Sequence, residues 1–518
     1  MNAESEAARG PAHVAAPFRA RRALRIAGVA AGALLLLAAT VLYIGSRWYL
    51  RRYGQIGFDS VLQAIVFHAQ AAEEGQIRSF LVKVVLRTAL VWPVLCIAVF
   101  GAPAAVRRLG RATPRWTPLA QAALTLAISG AFLFRAARNT GLDRWLADRS
   151  EPSTLYEEHY VDPKDVEVSF PEKKRNLVCL YLESCETTFF SCEQGGAMEE
   201  CVAPELYEMA RNGINFSQDD GVGGSPFVHG AAWTSGAMVA LTMGIPLSLP
   251  VKMNTYDQYR DFLPGARALG EILRDAGYRQ TLLVGSDSSF GGRDKLYSQH
   301  GVEHILDVFT AERDGIIPPG YRVWWGFEDR ILYGYAKREI SRLAAEPGPF
   351  AITILTVDTH SPEGFVCDRC GDRFAEPYEN VFACASRQAT EFVAWLREQP
   401  FWENTTVFVC GDHLSMNPGF FRRAVANHDA ERRIYNCLLN PAPGLPSDRQ
   451  KHRAFMTMDF FPTVLSAIGC TIPGDRLGLG TDLFSDRPTL CEEMGTGRLN
   501  AAIRKHSDFY FSRLVLGR

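Results

Sequence analysis

Four short apolar runs constrain this chain most. They are Asn176-Leu177-Val178-Cys179-Leu180-Tyr181-Leu182, Thr281-Leu282-Leu283-Val284, Ala351-Ile352-Thr353-Ile354-Leu355-Thr356-Val357 and Thr406-Val407-Phe408-Val409-Cys410. They are continuous rather than alternating, which suits strands buried on both faces, as in parallel sheets. Helical patterns fall between them, over Ala266–Ala276, Asp329–Ala345 and Ser386–Arg397. Strand then helix, repeated, predicts an α/β domain with a doubly wound, largely parallel sheet. The runs end in Glu183-Ser184, Gly285-Ser286-Asp287, Asp358-Thr359-His360 and Gly411-Asp412-His413. Ligands of open α/β sheets bind outside the carboxyl ends of the strands. One such Asp or Ser is an ordinary turn residue. Four ends that deliver acids and histidines to one edge point to a metal-dependent active site.

The amino-terminal part is of another kind. Ile26–Ser46, Thr88–Val106 and Trp116–Phe134 carry no charged residue. Each has about the 20 residues that a membrane-crossing helix needs. A signal peptide is the alternative for the first run, and a buried core helix for the other two. Arg9, Arg19, Arg21 and Arg22 precede the first run, and Arg107, Arg108, Arg111 and Arg115 separate the last two. The positive-inside rule puts both groups in the cytoplasm and everything after about residue 140 outside it. Arg47, Arg51 and Arg52 oppose that orientation. Between the first two runs, Phe58, Val61, Leu62, Ile65, Val66 and Ala69 recur at helical spacing. They predict an amphipathic helix over residues 56–72, lying on the membrane or packed on the spans. The expected layout is a membrane region over 1–150, a linker over 151–174 and a catalytic domain over 175–518. Lys and Arg number 55 against 57 Asp and Glu, so a strongly basic nucleic-acid binder is excluded as a first reading.

Eleven of the 12 cysteines follow the membrane region. In an oxidising compartment Cys192 with Cys201, and the group Cys367, Cys370 and Cys384, are the candidates for disulfides. The lone Cys367-x-x-Cys370 pair is a weak zinc signal. Cys179 and Cys410 sit in apolar runs and read as inert core residues.

Glu183, Asp412 and His413 come from two strand ends. Two carboxylates and an imidazole suit a divalent ion such as Mn²⁺ or Zn²⁺. An ion beside a hydroxyl lowers its pKa and makes it a nucleophile. Gly221–Gly224 leads through Ser225-Pro226 to Trp233-Thr234-Ser235-Gly236, which reads as a helix start. There Thr234 or Ser235 is either the nucleophile, with free N–H groups to hold a phosphoryl group, or simply a cap.

Several stretches carry a family resemblance in the expected order. They are NLVCLYLESCETTFF (176–190), WTSGAMVALTMGIPL (233–247), ALGEILRDAGYRQTLLVGSDSSFGGRDKLYSQHGVEHILD (268–307), LTVDTHSPEGF (355–365), NTTVFVCGDHLSM (404–416) and TMDFFPTVLSAIG (457–469). The chain resembles the alkaline-phosphatase-like superfamily, in the branch of lipoteichoic acid synthases and membrane phosphoglycerol transferases, and is most similar to its glucan-modifying members. The resemblance implies that Glu183, Thr234, Asp412 and His413 bind the metal, with Thr234 as nucleophile. It implies that His360 and Arg293 bind the substrate phosphate, with Trp233 and Asp287 as further substrate contacts. Lipoteichoic acid synthases have an aromatic residue where Gly291 stands. A surface ion pair with Asp294 is the alternative for Arg293. Trp324-Trp325-Gly326 resembles a segment before a long helix, structural or functional alike.

The implied activity is transfer of a phosphoglycerol group from phosphatidylglycerol to a glycan or polyol hydroxyl, with one divalent ion, Mn²⁺ first and Mg²⁺ or Zn²⁺ next. His360 would also serve as an acid for the leaving alkoxide. The implied place is a bacterial inner membrane, crossed several times, with the catalytic domain on the periplasmic side. A phosphoethanolamine transferase or a phosphodiester hydrolase of the superfamily is the alternative, and a decayed sensor a further one. Formylglycine sulfatases need Cys-x-Pro-x-Arg or Ser-x-Pro-x-Arg. Ser225-Pro226-Phe227-Val228-His229 lacks the arginine, which argues against sulfate-ester chemistry.

Overall fold

A computed structural model describes residues 15–53, 58, 61, 78–148, 150–248, 261–361, 363–446 and 448–518. The chain divides into two units, one holding the three long apolar helices and the other formed by Arg52–Ala71 and Asp143–Arg518.

In the first unit, Ala23–Arg51, Arg78–Gly101 and Thr117–Thr140 are long and apolar enough to cross a membrane. Several polar groups within them are tied to neighbouring backbone or side chains, while the buried hydroxyls of Thr88, Thr125 and Ser129 have no partner among the described residues. Thr40 Oγ1 donates to the Leu36 carbonyl at 2.7 Å, Trp92 Nε1 to the Ala33 carbonyl at 2.8 Å, and Asn139 Nδ2 to Ser46 Oγ at 3.0 Å. The second helix starts ten residues earlier than its uncharged run, because Arg78, Lys83 and Arg87 are carried in its first turns. Such long side chains reach polar surroundings from a helix end. Pro93 lies inside it, followed by a π-helical turn over Ile97–Gly101. That widened turn is a common adjustment inside membrane helices. The amphipathic segment expected over 56–72 lies outside the described residues, Phe58 and Val61 excepted.

The second unit is built on a sheet. Its strands are β1 (Asn176–Leu182), β2 (Gly224–Ser225), β3 (Arg279–Val284), β4 (His304–Leu306), β5 (Phe350–Leu355), β6 (Thr405–Gly411) and β7 (Ile434–Leu439), in the order β2-β7-β6-β1-β5-β3-β4. A separate pair, β8 (Arg476–Leu477) and β9 (Gly480–Thr481), is antiparallel. The five strands β6, β1, β5, β3 and β4 run parallel, while β7 is antiparallel to β6 and β2 to β7. The expected largely parallel sheet is therefore present, with a mixed edge. Every residue of β1 and β6 is buried.

Alternate strand residues point to opposite faces. Leu177, Cys179, Tyr181, Phe408 and Cys410 join one core with the helices Thr234–Met243 and Phe460–Ala467. Val178, Leu180, Leu182, Val407 and Val409 join the other with the helices Asp329–Ala345 and Pro377–Arg397. Helices cover both faces, which is the physical meaning of doubly wound.

The Asp329–Ala345 helix has the expected bounds. The helix expected from Ser386 starts nine residues earlier, with Pro377 in its first turn, where a missing N–H costs nothing. The helix expected from Ala266 starts at Leu269, because the Glu271 carboxylate accepts the Ala268 N–H at 2.9 Å and caps it there. Strand β7 escaped the apolar pattern because Asn436 interrupts it. That side chain is buried and satisfied, donating to the Phe216 carbonyl and accepting the Phe216 N–H. All twelve cysteines are free thiols, so neither Cys192 with Cys201 nor the Cys367 group is joined. Cys179 and Cys410 lie in the core as expected.

Candidate active site

The carboxyl ends of β1 and β6 are hydrogen-bonded neighbours, so Glu183 and the pair Asp412-His413 meet there. Ligand atoms of these three residues all lie within 4.8 Å of one another. His413 Nε2 is 3.4 Å from Asp412 Oδ2 and 3.6 Å from Glu183 Oε1. The side chains of Asp412 and His413 are fully buried.

The backbone prepares each donor. Ser184 adopts a left-handed conformation (φ 55°), an uncommon one for a residue with a side chain. It lets the Ser184 N–H reach Asp412 Oδ1 at 2.7 Å and its Oγ reach Glu183 Oε1 at 2.7 Å. One serine thus holds both carboxylates, and such strain gathers at functional sites. His413 Nδ1 bonds the Leu414 carbonyl at 3.0 Å. A carbonyl only accepts, so Nδ1 carries the proton and Nε2 turns a lone pair to the cluster.

Thr234 opens the Thr234–Met243 helix, whose other nine residues are buried. Its Oγ1 donates to Glu183 Oε2 at 3.3 Å and lies 3.4 Å from His413 Nε2. Ser235 instead lies under Gly291. A β-carbon on Gly291 would meet Ser235 Oγ at 2.3 Å, and its φ of +67° disfavours any side chain. An aromatic residue at this position is therefore excluded here. Gly291→Ala should lower stability by about 1–3 kcal/mol, read as a fall in the urea midpoint, and turnover should drop with it.

These residues fit a divalent ion. Donors 3.4–3.6 Å apart span the edge expected of ligands about 2.1 Å from one ion. Asp412 Oδ2 has no hydrogen-bond partner among the described residues, although it is buried. Without a cation the site is electrostatically unhappy. Burial first, then the Glu183 charge, pushes the Asp412 carboxyl up to about 7. Burial lowers the His413 pKa, but Asp412 and Glu183 more than offset this and the net shift is upward.

The other expected residues border this centre unevenly. Arg293 is buried, and its hydrogen bonds go to Phe290, Ser286 and Asp287 rather than to the Asp294 carboxylate, so the surface pair with Asp294 is absent. Its Nη2 donates to Ser286 Oγ at 3.0 Å and to the Asp287 carbonyl at 2.6 Å, and Nε to the Phe290 carbonyl at 2.9 Å. Burial pulls its pKa down to about 10, opposed by Glu183, so it stays cationic at neutral pH. Asp287 offers its backbone to Arg293, while its Oδ1 accepts the Ser289 N–H and hydroxyl in a local turn. Trp233 caps the helix before Thr234, and its Nε1 has no hydrogen-bond partner among the described residues. Asp358 turns to Asp329 instead of the metal cluster. The Asp329 carboxylate accepts the Val357 and Asp358 N–H groups, and Asp358 Oδ1 accepts the Asp329 N–H. Burial, then the Asp329 charge, raises the Asp358 pKa.

His360 Nδ1 bonds the Ser361 carbonyl at 2.9 Å, so its neutral ring also presents Nε2 as an acceptor. Burial pulls its pKa down to about 4. Trp325 covers it, with ring centroids 4.5 Å apart, and Phe290 meets Trp325 edge-on at 5.2 Å. Gly326 allows this, because a β-carbon there would lie 1.9 Å from the Gly285 carbonyl oxygen. The pair Trp325-Gly326 is structural through its glycine and lines the site through its tryptophan. Phe290 carried no signal of its own in the sequence. Neither did Glu186, whose buried carboxylate takes two bonds from Arg432, at 2.5 and 2.7 Å, and one from the Ser415 N–H.

The chain is similar to several known proteins. The family described as Sulfatase matches residues 175–470. Phosphoglycerol transferase I of Xanthomonas axonopodis pv. citri (strain 306) is 32% identical over 325 residues, covering 61% of this chain and 44% of that protein. Phosphoglycerol transferase I of Salmonella heidelberg (strain SL476) is 29% identical over 397 residues, covering 75% and 49%. The chain thus spans about half the length of the curated relatives it matches. Among solved structures, the lipoteichoic acid synthase LtaP from Listeria monocytogenes superposes with a TM-score of 0.48 at 19% identity, covering 62% of this chain and 79% of that one.

Proposed function

Because the chain belongs to the sulfatase family, we propose that its site is that of a metal-dependent, membrane-anchored phosphoglycerol transferase. The donor is phosphatidylglycerol, and the acceptor is a hydroxyl of a glucan, another glycan or a polyol. The observation that carries this reading is the Thr234 hydroxyl, held 3.3 Å from Glu183 and 3.4 Å from His413 at the start of a buried helix. The names of the curated relatives supply the transferred group. A threonine nucleophile, with no formylglycine motif, turns the family's scaffold from sulfate to phosphate esters.

Glu183, Asp412, His413 and Thr234 would hold one divalent ion, Mn²⁺ before Mg²⁺ or Zn²⁺. When bound, it lowers the pKa of the Thr234 hydroxyl and offsets phosphoryl charge. Thr234 Oγ1, its proton first lost to solvent, attacks the lipid phosphorus as the alkoxide, and the bond to the diacylglycerol oxygen breaks. Arg293 holds the phosphoryl oxygens as negative charge builds up. Its rigid hold on Ser286 and Asp287 keeps it preorganised. His360 contacts a phosphoryl oxygen only with a second proton on its ring. The anionic lipid phosphate supplies the charge that raises its pKa, and the ring takes that proton from solvent. The ring then passes the proton to the departing diacylglycerol alkoxide. An acceptor hydroxyl next attacks the glycerophosphoryl-threonine, loses its proton to the same ring and frees Thr234. The three apolar helices keep the domain at the bilayer that holds its lipid, and the domain faces the periplasm.

Head-group-labelled phosphatidylglycerol should transfer its label to Thr234, seen by intact mass and peptide mapping. Labelling from phosphatidylethanolamine instead would overturn the donor. Chelation should abolish turnover and Mn²⁺ restore it. Protons compete with the ion for Asp412, whose carboxyl burial and the Glu183 charge raise well above the ordinary carboxylate range, and for His413, whose pKa is raised as well. Apparent metal affinity should therefore rise with pH through the neutral range, measured by metal titration of the apo protein. At saturating metal and lipid, kcat should decline as pH rises above neutrality, since the substrate-bound His360 ring must hold a proton. His360→Gln should remove that decline along with most of the rate.

A further inference from the structure

Among the described residues, two groups of side chains are spaced to share a metal ion. One is the site above. The other is Cys367, Cys370 and Cys384, which the proposed reaction does not use. Cys367 and Cys370 lie on the segment that leaves His360, and Cys384 on the Pro377–Arg397 helix. Cys367 Sγ is 3.6 Å from Cys370 Sγ and 3.7 Å from Cys384 Sγ. A disulfide would need about 2.05 Å. Two sulfurs each about 2.3 Å from a tetrahedral zinc ion are about 3.8 Å apart. The observed triangle has the second spacing.

The surroundings are those of thiolate ligands. The Cys367 N–H points to Cys370 Sγ at 3.3 Å, and the amide end of Gln388 lies 3.3 Å from Cys384 Sγ, where half a turn about its last bond exchanges nitrogen for oxygen. Such outer hydrogen bonds orient and stabilise metal-bound sulfur. Gln388 is 3% exposed, and its Oε1 has no hydrogen-bond partner among the described residues although the amide lies at the cluster. Val381 and Phe365 pack around the sulfurs and keep water out. Arg387, one turn along the helix from Cys384, supplies positive charge beside them.

We propose that Cys367, Cys370 and Cys384 bind a structural zinc ion, with the Gln388 amide oxygen completing a tetrahedron. Binding releases three thiol protons to solvent and leaves a net charge of −1 on the Zn(Cys)₃ group. The ion fastens the segment after His360 to the Pro377–Arg397 helix. That segment is already folded back on itself, with the Gly364 N–H on the His360 carbonyl and the Phe365 N–H on the Asp358 carbonyl. The zinc therefore stiffens the support of His360 and takes no part in the chemistry.

The test uses the full chain, purified in detergent without reductant. Elemental analysis should find one more zinc per chain in the wild type than in Cys384→Ser or Cys367→Ser. Cys192→Ser, which removes an exposed cysteine outside the cluster, should keep the full content. Cobalt should replace the zinc in the wild type and give a thiolate-to-cobalt charge-transfer band. The Glu183, Asp412 and His413 site contains no sulfur and gives none, so the two sites are separable without an activity assay. If a serine variant fails to fold, the wild-type spectrum and thiol count decide alone. After chelation and denaturation, all three cysteines should alkylate without reductant. A mass two hydrogens lighter, showing a disulfide within the trio, would overturn the proposal. So would a wild type with no cobalt–sulfur band, or variants with unchanged zinc.

Discussion

Thr234→Ala should lower kcat by at least about 10⁴-fold, the scale seen when a nucleophile is removed from a preorganised site. The fold should remain. Thr234 is half-buried, its hydroxyl bonds only the site residues Glu183 and His413, and alanine is the better helix former at that position. The thermal midpoint should therefore stay close to wild type, and no labelled adduct should form with phosphatidylglycerol. Thr234→Ser keeps an attacking oxygen and should retain measurable turnover. Full activity in the alanine variant would sink the nucleophile assignment. Loss of activity with loss of folding would be read from the thermal midpoint, and the serine variant would then decide.

Arg432→Met should destabilise the sheet-bearing unit by about 2–4 kcal/mol. Removing one partner of a buried pair costs about 3–5 kcal/mol, because it strands the other charge. The lower figure allows for the 34% exposure of the Arg432 side chain, whereas Glu186 has none. Arg432 also lies 3.9 Å above the Phe421 ring and donates to the Ser415 carbonyl at 2.8 Å. Glu186 Oε1 accepts the Ser415 N–H as well, so the pair clamps the loop two residues beyond His413. The urea midpoint should fall with an unchanged slope, and kcat should fall with it. The double replacement Glu186→Gln with Arg432→Met should recover part of the loss. A midpoint within 0.5 kcal/mol of wild type, about the scatter of an ordinary surface change, would show that the clamp carries no stability.

The fold was legible because its physics is local and repetitive. Continuous apolar runs mark strands that are buried on both faces, and β1, β3, β5 and β6 fall on them. Strands β2 and β7 were not legible. The first has two residues, and the second carries Asn436, whose polarity is satisfied only by a neighbouring segment far away in the chain. The site was partly legible for the same reason. Glu183, Asp412 and His413 stand directly after strong strands, so their common edge follows from a parallel sheet. Asp287 and Asp358 stand in equivalent places, yet one folds into its own turn and the other faces Asp329. Nothing in the spacing separates these acids from the ligands.

By itself, then, the sequence determined the architecture and the short set of groups that meet at one sheet edge. It did so because strand alternation, apolar length and strand-end position depend on neighbours along the chain. Which of those groups face one another was decided by tertiary structure. Ser184 in a left-handed turn aligns two carboxylates, Gly326 lets Trp325 cover His360, and carbonyl acceptors fix the protons of both histidines. The serine and glycine contacts join segments remote in sequence, which only the packed chain brings within hydrogen-bonding or van der Waals distance; the two histidines bond the carbonyl of the next residue, and the local turn of the backbone orients them.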